Sequence, residues 1–226
     1  MLDTVVFDVD GTLVDSNYLH LIAWSRAFAA VGVWVPGWRL QQLLGMGGDK
    51  LVAAAAGDAV EQAVGDELRD LWRGRYSDLL DEVRPLPDAV ATLQACRRSG
   101  LSVVLATSGD PEHVDRTLEI LGIGRAEFPV VSSGDVRESK PAEDLVEKAV
   151  SEVGGNTAIM VGDTVWDVQA GDRAGVPVVG VQTGGISRTT LHDAGALRVF
   201  DDVATLREHL PELVALFSSP SVRAAR

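Results

Sequence analysis

The chain has 226 residues, enough for one large or two modest domains with a real core, and 46% hydrophobic content with 23 glycines fits a soluble α/β protein. A formal net charge of −13 argues against nucleic acid or an anionic membrane as partner, so a bound phosphate must be met by a local cation. One cysteine, Cys96, excludes an intrachain disulfide, residues 1–9 carry acid rather than a basic leader, and no apolar run nears the ~18 residues of a membrane span, so the expected location is the cytoplasm.

The first element is Val5-Val6-Phe7-Asp8-Val9-Asp10-Gly11-Thr12, an apolar run that rises to two carboxylates and breaks at glycine. Such a run predicts a buried strand of a parallel sheet, with Asp8 and Asp10 at its carboxyl end, the edge where open α/β sheets bind ligands. Two like charges there need compensation, and Mg²⁺ favours one or two carboxylates plus a substrate phosphate. A polar turn after a strand has the same composition, so the rest of the chain must decide.

From residue 16 the texture becomes helical. Ser16 is placed to cap a helix reaching about Ala30, Pro36-Gly37 opens a second, Gly45-Met46-Gly47-Gly48 breaks it, and helical patterns follow over 49–57 and 60–82. Four of the five tryptophans fall here, which predicts an all-helical insert, 16–84, with its own small core. From Pro85 strands and helices alternate: helices over 88–99, 111–121, 141–153, 165–174 and 203–217, and strands over 101–107, 129–132, 157–162, 176–181 and 197–200. Alternation of this kind predicts a doubly wound parallel sheet built from 1–15 and 85–217, with 218–226 as a loose tail.

Three further strand or helix boundaries carry chemistry. Thr107-Ser108-Gly109 offers hydroxyls and N–H groups to an anion, although Ser/Thr before a helix is usually only a cap. Lys140 stands just before a predicted helix start, where the macrodipole does not favour a cation, so it is either a solvated charge or aimed at an anion. Asp163 ends an apolar strand as Asp8 does, and Asp167 lies one turn into the next helix, where an acid also suits the dipole.

In this order, the four stretches resemble the haloacid dehalogenase-like hydrolase superfamily, in its phosphoglycolate phosphatase and β-phosphoglucomutase-like branch. The resemblance spans essentially the whole chain, with the helical insert where that family's first cap domain lies. It implies a Rossmann-like core with a helical cap and an enzyme that hydrolyses a small phosphorylated metabolite, working as a monomer or homodimer. Asp8 is then the nucleophile that takes the phosphoryl group. Asp10 is the general acid and base. Mg²⁺ is held by Asp8, Asp10 (through its backbone carbonyl) and Asp163. Thr107, Ser108 and Lys140 hold the phosphoryl oxygens, and Asp167 orients Lys140 or a water. From the cap, His20, Gly47 and Lys50 are the expected substrate contacts. An acid at position 10 favours phosphoester over halide chemistry, since only the former needs a leaving-group acid. The alternative is a sugar-phosphate mutase similar to β-phosphoglucomutase: Tyr18 to Trp24 resembles its cap motif, but its cap arginine has no counterpart in 45–50 and Gly162-Asp163 replaces its Glu-Asp pair. A non-catalytic phospholigand-binding protein is the third reading, and it predicts loss of Asp8, Asp10 or Lys140.

Overall fold

A computed structural model describes residues 1–218. In chain order its elements are β1 (Thr4–Phe7), β2 (Val14–Asp15), α1 (Asn17–Ala30), α2 (Gly37–Leu43), α3 (Gly48–Ala56), α4 (Asp58–Ser77), β3 (Arg84–Pro85), α5 (Ala89–Arg98), β4 (Ser102–Ala106), α6 (Pro111–Leu121), β5 (Val130–Val131), α7 (Asp144–Glu152), β6 (Ala158–Gly162), α8 (Val165–Arg173), β7 (Val178–Val181), α9 (Arg188–Asp193), β8 (Arg198–Phe200), α10 (Val203–Glu208) and α11 (Leu210–Ser218). Six strands form one sheet in the order β5-β4-β1-β6-β7-β8, and each neighbouring pair is parallel. This is the expected doubly wound α/β fold. Among the described residues no helix is long and apolar enough to cross a membrane.

β1 is buried along its whole length because it is flanked on both edges and covered on both faces. That is why its residues are β-branched and aromatic without alternation. The chain runs outward from β1 through β4 to β5, then returns to the other side for β6, β7 and β8. The reversal falls at β1, so the ligand crevice of such a sheet lies off its carboxyl end. Register fixes what arrives there. Phe7 is paired with both Leu105 and Val161. Asp8 therefore emerges beside the ends of β4 and β6, which continue into Thr107 and Asp163.

The helical segment packs mainly through α1 on α4 and α3 on α4. Leu40, Leu51, Val52 and Leu68 are buried, and Trp24 and Trp72 stack with ring centroids 5.1 Å apart. Of the four tryptophans of this segment, Trp24 and Trp72 enter its core, and Trp34 and Trp38 stay exposed. The chain passes between sheet and helices twice, and the two passages pair as an antiparallel ribbon, Val14 with Pro85 and Asp15 with Arg84.

Several local expectations are corrected. Ser16 precedes α1 without capping it: its backbone, at φ −129° and ψ −18°, is not in the extended conformation of a cap residue, and its hydroxyl is turned toward Asp10, to which it donates. The helix expected from Pro141 begins at Asp144. The helix expected over 203–217 breaks at His209 into α10 and α11, because Pro211 offers no N–H to continue the ladder. Helix α9, capped by the Ser187 hydroxyl accepting from Thr190 N–H, lies where the sequence reading placed only a glycine break. The expected tail lies outside the described residues apart from Ser218, which ends α11.

Candidate active site

Asp8 leaves β1 as its backbone N–H donates to Val161 carbonyl at 2.8 Å, so the sheet itself aims the side chain. Lys140 Nζ donates to Asp8 Oδ1, and lies 2.7 Å from Asp167 Oδ1, close enough for an ion pair without the alignment of a hydrogen bond. The other Asp167 oxygen is spent on the start of α8: Oδ2 accepts from Thr164 N–H at 3.0 Å and from its hydroxyl at 2.6 Å. Asp167 is thus both a capping-box acid and a lysine partner, and the cap fixes which oxygen faces Lys140.

Asp163 is fully buried; its Oδ1 accepts from the Thr12 hydroxyl at 3.0 Å and its Oδ2 from Asn17 Nδ2 at 2.8 Å. Gly11 at φ +75° and Gly184 make this possible, since a Cβ on either would collide with Asp163 and Asn17. Asp8, Asp163 and Asp167 each bring a carboxylate oxygen within 4.8 Å of the others. Among the described residues one ammonium, Lys140, pairs with two of these three buried carboxylates, Asp8 and Asp167, leaving two negative charges uncompensated if all ionise. Burial therefore pushes the Asp8 carboxyl up to about 7 despite Lys140, and pushes Asp163 well above the usual carboxylate range. Burial also works against the Lys140 charge, but Asp167 and Asp8 outweigh it and hold the ammonium above its ordinary value. A hard, all-oxygen donor set with surplus negative charge fits a divalent cation.

Asp10 sits in a different environment. Its Oδ1 accepts from the Ser16 hydroxyl at 2.6 Å and lies 3.2 Å from His20 Nε2, while its Oδ2 accepts from the Thr107 hydroxyl at 3.2 Å. Burial raises this carboxyl, but His20 together with the Ser16 and Thr107 hydrogen bonds prevails and holds it down at about 2. Two carboxylates two residues apart are therefore pushed in opposite directions. His20 is fixed by stacking on Tyr76, with ring centroids 3.8 Å apart, and Tyr76 and Trp72 continue the stack to Trp24.

A narrow cavity lies between this edge and the helices, lined by Asp8, Asp10, His20, Thr107 and Ser108 among others. Gly109 N–H donates to Thr107 Oγ1 at 2.9 Å, and the Ser108 hydroxyl is buried with no partner among the described residues. Lys140, Asp163 and Asp167 stand behind Asp8. Gly47 and Lys50 are not brought into this cavity: Lys50 Nζ donates to Glu138 at 2.8 Å and to the Ser139 carbonyl at 3.1 Å, and the glycine abuts Ser139. Sequence reasoning missed Thr12, Ser16 and Asn17. The first lies inside the quoted motif, but Ser16 and Asn17 read only as a helix start.

A reversal-point crevice with oppositely tuned carboxylates is the frame of an α/β enzyme. A family model described as haloacid dehalogenase-like hydrolase matches residues 2–175. A phosphoglycolate phosphatase from Rhodospirillum rubrum is 31% identical over 93% of this chain and 91% of its own length. A pyrophosphatase, PpaX, from Bacillus velezensis is 30% identical over 78% of this chain and 82% of its own. The crystal structure of a hydrolase from Pseudomonas syringae superposes with a TM-score of 0.89 at 30% identity, covering 93% of this chain and 98% of that one. The chain belongs to the haloacid dehalogenase-like hydrolase family and is a hydrolytic enzyme.

Proposed function

We propose that this protein is a Mg²⁺-dependent phosphatase that releases phosphate from a small phosphomonoester through an aspartyl-phosphate on Asp8. The observation that carries the reading is the placement of Asp8 and Asp10 on one cavity in oppositely tuned settings, with Lys140 the one ammonium at the buried carboxylates among the described residues. Relatives named as a phosphoglycolate phosphatase and a pyrophosphatase support phosphoryl chemistry.

Asp8 supplies the attacking oxygen: a bond forms from it to phosphorus as the ester oxygen leaves. Mg²⁺ held by Asp8, Asp163 and the Asp10 carbonyl would neutralise the charge between an anionic nucleophile and an anionic phosphate. Lys140 and the Thr107 hydroxyl, with the N–H groups that follow it, bind the phosphoryl oxygens. Asp167 keeps Lys140 in place. Asp10 protonates the leaving oxygen, then takes a proton from the water that cleaves the acyl-phosphate. Its present setting, ionised and held by Ser16 and Thr107, is the base form. His20, 3.2 Å away, is the neighbour that can share a proton with it. Residues 16–84 act as a cap that excludes water while the acyl-phosphate forms, moving on the ribbon between β2 and β3.

The test is phosphate release from p-nitrophenyl phosphate with and without Mg²⁺. Release that stops in excess chelator and returns with Mg²⁺ is expected; full activity in metal-free protein would sink the proposal. On β-glucose 1-phosphate, free phosphate is expected. Glucose 6-phosphate without free phosphate would favour the mutase.

A further inference from the structure

We propose that Asp49 and Lys50 are positioning residues that act through Ser139 on Lys140, so that the phosphoryl-binding cation is fully fixed only while the helical segment rests on the sheet edge. The inference rests on the phosphatase reading and adds to it two residues that touch neither the substrate nor the reacting atoms.

Lys50 has a place that helix chemistry does not explain. It lies in the first turn of α3, where the macrodipole disfavours a cation. Asp49 beside it suits the dipole, yet both of its carboxylate oxygens are turned to Ser139: Oδ1 accepts from the hydroxyl, and Oδ2 from the N–H at 3.4 Å. Lys50 Nζ donates to the Ser139 carbonyl at 3.1 Å and to Glu138 Oε2 at 2.8 Å. Consecutive residues of the helical segment thus hold the N–H, the hydroxyl and the carbonyl of one residue, which are all of its polar groups. Every one of these bonds has a charged partner, and Ser139 is only 3% exposed, so water does not readily replace them. Gly47 permits the approach, since a Cβ there would collide with Ser139 Oγ.

Ser139 is the residue before Lys140. Residues 136–143 belong to neither sheet nor helix, so no ladder of hydrogen bonds fixes the Lys140 main chain. Contacts on its two sides do so. After it, the Pro141 carbonyl accepts from Arg173 Nη1 of α8 at 2.5 Å, and Ala142 N–H closes a turn on the Ser139 carbonyl at 3.0 Å. Before it, the partners are Asp49 and Lys50. The Lys140 side chain is gripped at its tip by Asp8 and Asp167. A long flexible stem rooted in an unheld main chain lets Nζ drift, and a misplacement of about 1 Å can slow a reaction roughly 100-fold.

Other bonds attach the helical segment without reaching this loop. Arg73 pairs with Asp110 at 2.8 Å, Ser77 Oγ lies 2.9 Å from His113 Nε2, and Trp166 Nε1 donates to the Gln42 carbonyl at 3.2 Å. These meet the starts of α6 and α8, and they supply an internal comparison.

The test uses the intact protein in excess Mg²⁺ and reads two quantities. One is kcat and KM for p-nitrophenyl phosphate. The other is trace acetylation of Lys140 relative to the exposed Lys148, followed by mass spectrometry. Wild-type Lys140 is expected to be strongly protected. In Asp49→Ala and in Lys50→Met, kcat should fall about tenfold or more, and Lys140 should acetylate severalfold faster. Asp49→Glu keeps the acceptor and should recover part of both. The double variant should lose little more than the larger single loss, because both residues act through Ser139. Ser77→Ala should leave both readouts near wild type. Unchanged protection of Lys140 in Asp49→Ala and Lys50→Met would overturn the proposal, as would wild-type kcat in both. An equal loss in Ser77→Ala, or losses that simply add in the double variant, would reduce the contacts to general anchoring and overturn it too. If no preparation releases phosphate, the phosphatase reading fails, and acetylation alone decides the positioning by the same criteria.

Discussion

The sheet edge and the helical segment are held together by different physics. At the edge, four charged side chains, Asp8, Lys140, Asp163 and Asp167, are each at most 5% exposed, and their mutual placement depends on compensation of charge. In the helices, Leu40, Leu51, Val52 and Leu68 are at most 1% exposed, and the segment is held by apolar burial and a stack of rings. A buried charge cluster is specific but costly, and stable only when its count balances. An apolar helix pair tolerates rearrangement of its surface. The buried carboxylates and Lys140 thus lie on the electrostatically determined side, and the helical segment that faces them across the cavity is held by apolar packing.

Removing the nucleophile should separate the two regions most sharply. Asp8→Asn is expected to lower phosphate release by roughly four orders of magnitude or more, because an amide cannot form the acyl-phosphate. Its melting temperature should not fall, since a neutral group replaces one of three clustered carboxylates. Wild-type-like turnover in this variant would break the assignment.

The next effect concerns balance. Lys140→Ala removes the one cation from the cluster and should cost about 3–5 kcal/mol of stability in metal-free protein. Urea unfolding in chelator and in Mg²⁺ measures it, and the loss should shrink when the cation is present. A variant as stable as wild type in chelator would show that the cluster is already neutral. Leu68→Ala probes the other region. A fully buried leucine of α4 should cost about 3 kcal/mol on truncation. That loss should be the same with and without Mg²⁺, and a metal-dependent loss would contradict the division drawn here.

The smallest effect lies on the surface, in the turn that follows β5. Asp135 closes a capping box with Ser132, its Oδ2 accepting from the Ser132 N–H and hydroxyl at 2.8 Å each. These bonds hold its carboxyl below the usual range. A depressed folded-state value stabilises the protein above the unfolded value near 3.8, and the contribution is lost as pH falls through the folded one. Asp135→Asn should therefore cost about 0.5 kcal/mol at neutral pH, little because the group is exposed, and nothing once acid has protonated the wild type. Denaturation midpoints at pH 7 and pH 3 check this; an equal cost at both would rule out the carboxylate as its source.

The sheet was legible because each strand reads as a buried apolar run with an abrupt polar end, and because parallel strands present those ends at one edge. Asp8, Thr107 and Asp163 follow from that rule, whereas Lys140 lies nine residues beyond β5 and was singled out by its charge and its place in the chain order. The fold around Asp163 was not legible. Thr12 and Asn17 reach it from residues 151 and 146 positions away, and no local pattern announces a hydrogen bond of that range. Ser16 shows the limit in the other direction. It has the composition of a helix cap, but its backbone is not extended and its hydroxyl is turned away from the helix to donate to the Asp10 carboxylate. In the helical segment, the sequence pattern identified the elements but not which tryptophans are buried: Trp34, in the loop before α2, and Trp38, in its first turn, lie in solvent while Leu40 is buried. Lys50 likewise has the charge of a substrate contact, yet Glu138 and the Ser139 carbonyl occupy it.

The ribbon of β2 and β3 gives the chain a single doorway. Leaving and returning strands lie side by side there, tied by Leu86 N–H donating to Leu13 carbonyl at 2.9 Å. A segment whose two ends already touch adds little closure entropy to the fold that carries it, and that cost grows only slowly with length. Helices beyond the doorway can therefore be lengthened, shortened or exchanged without shifting β1 against β4 or β6. Such an arrangement separates inheritance of the reaction from inheritance of the substrate. A lineage can rewrite one contiguous piece of its gene while the sheet edge that carries Asp8, Thr107 and Asp163 is copied unchanged.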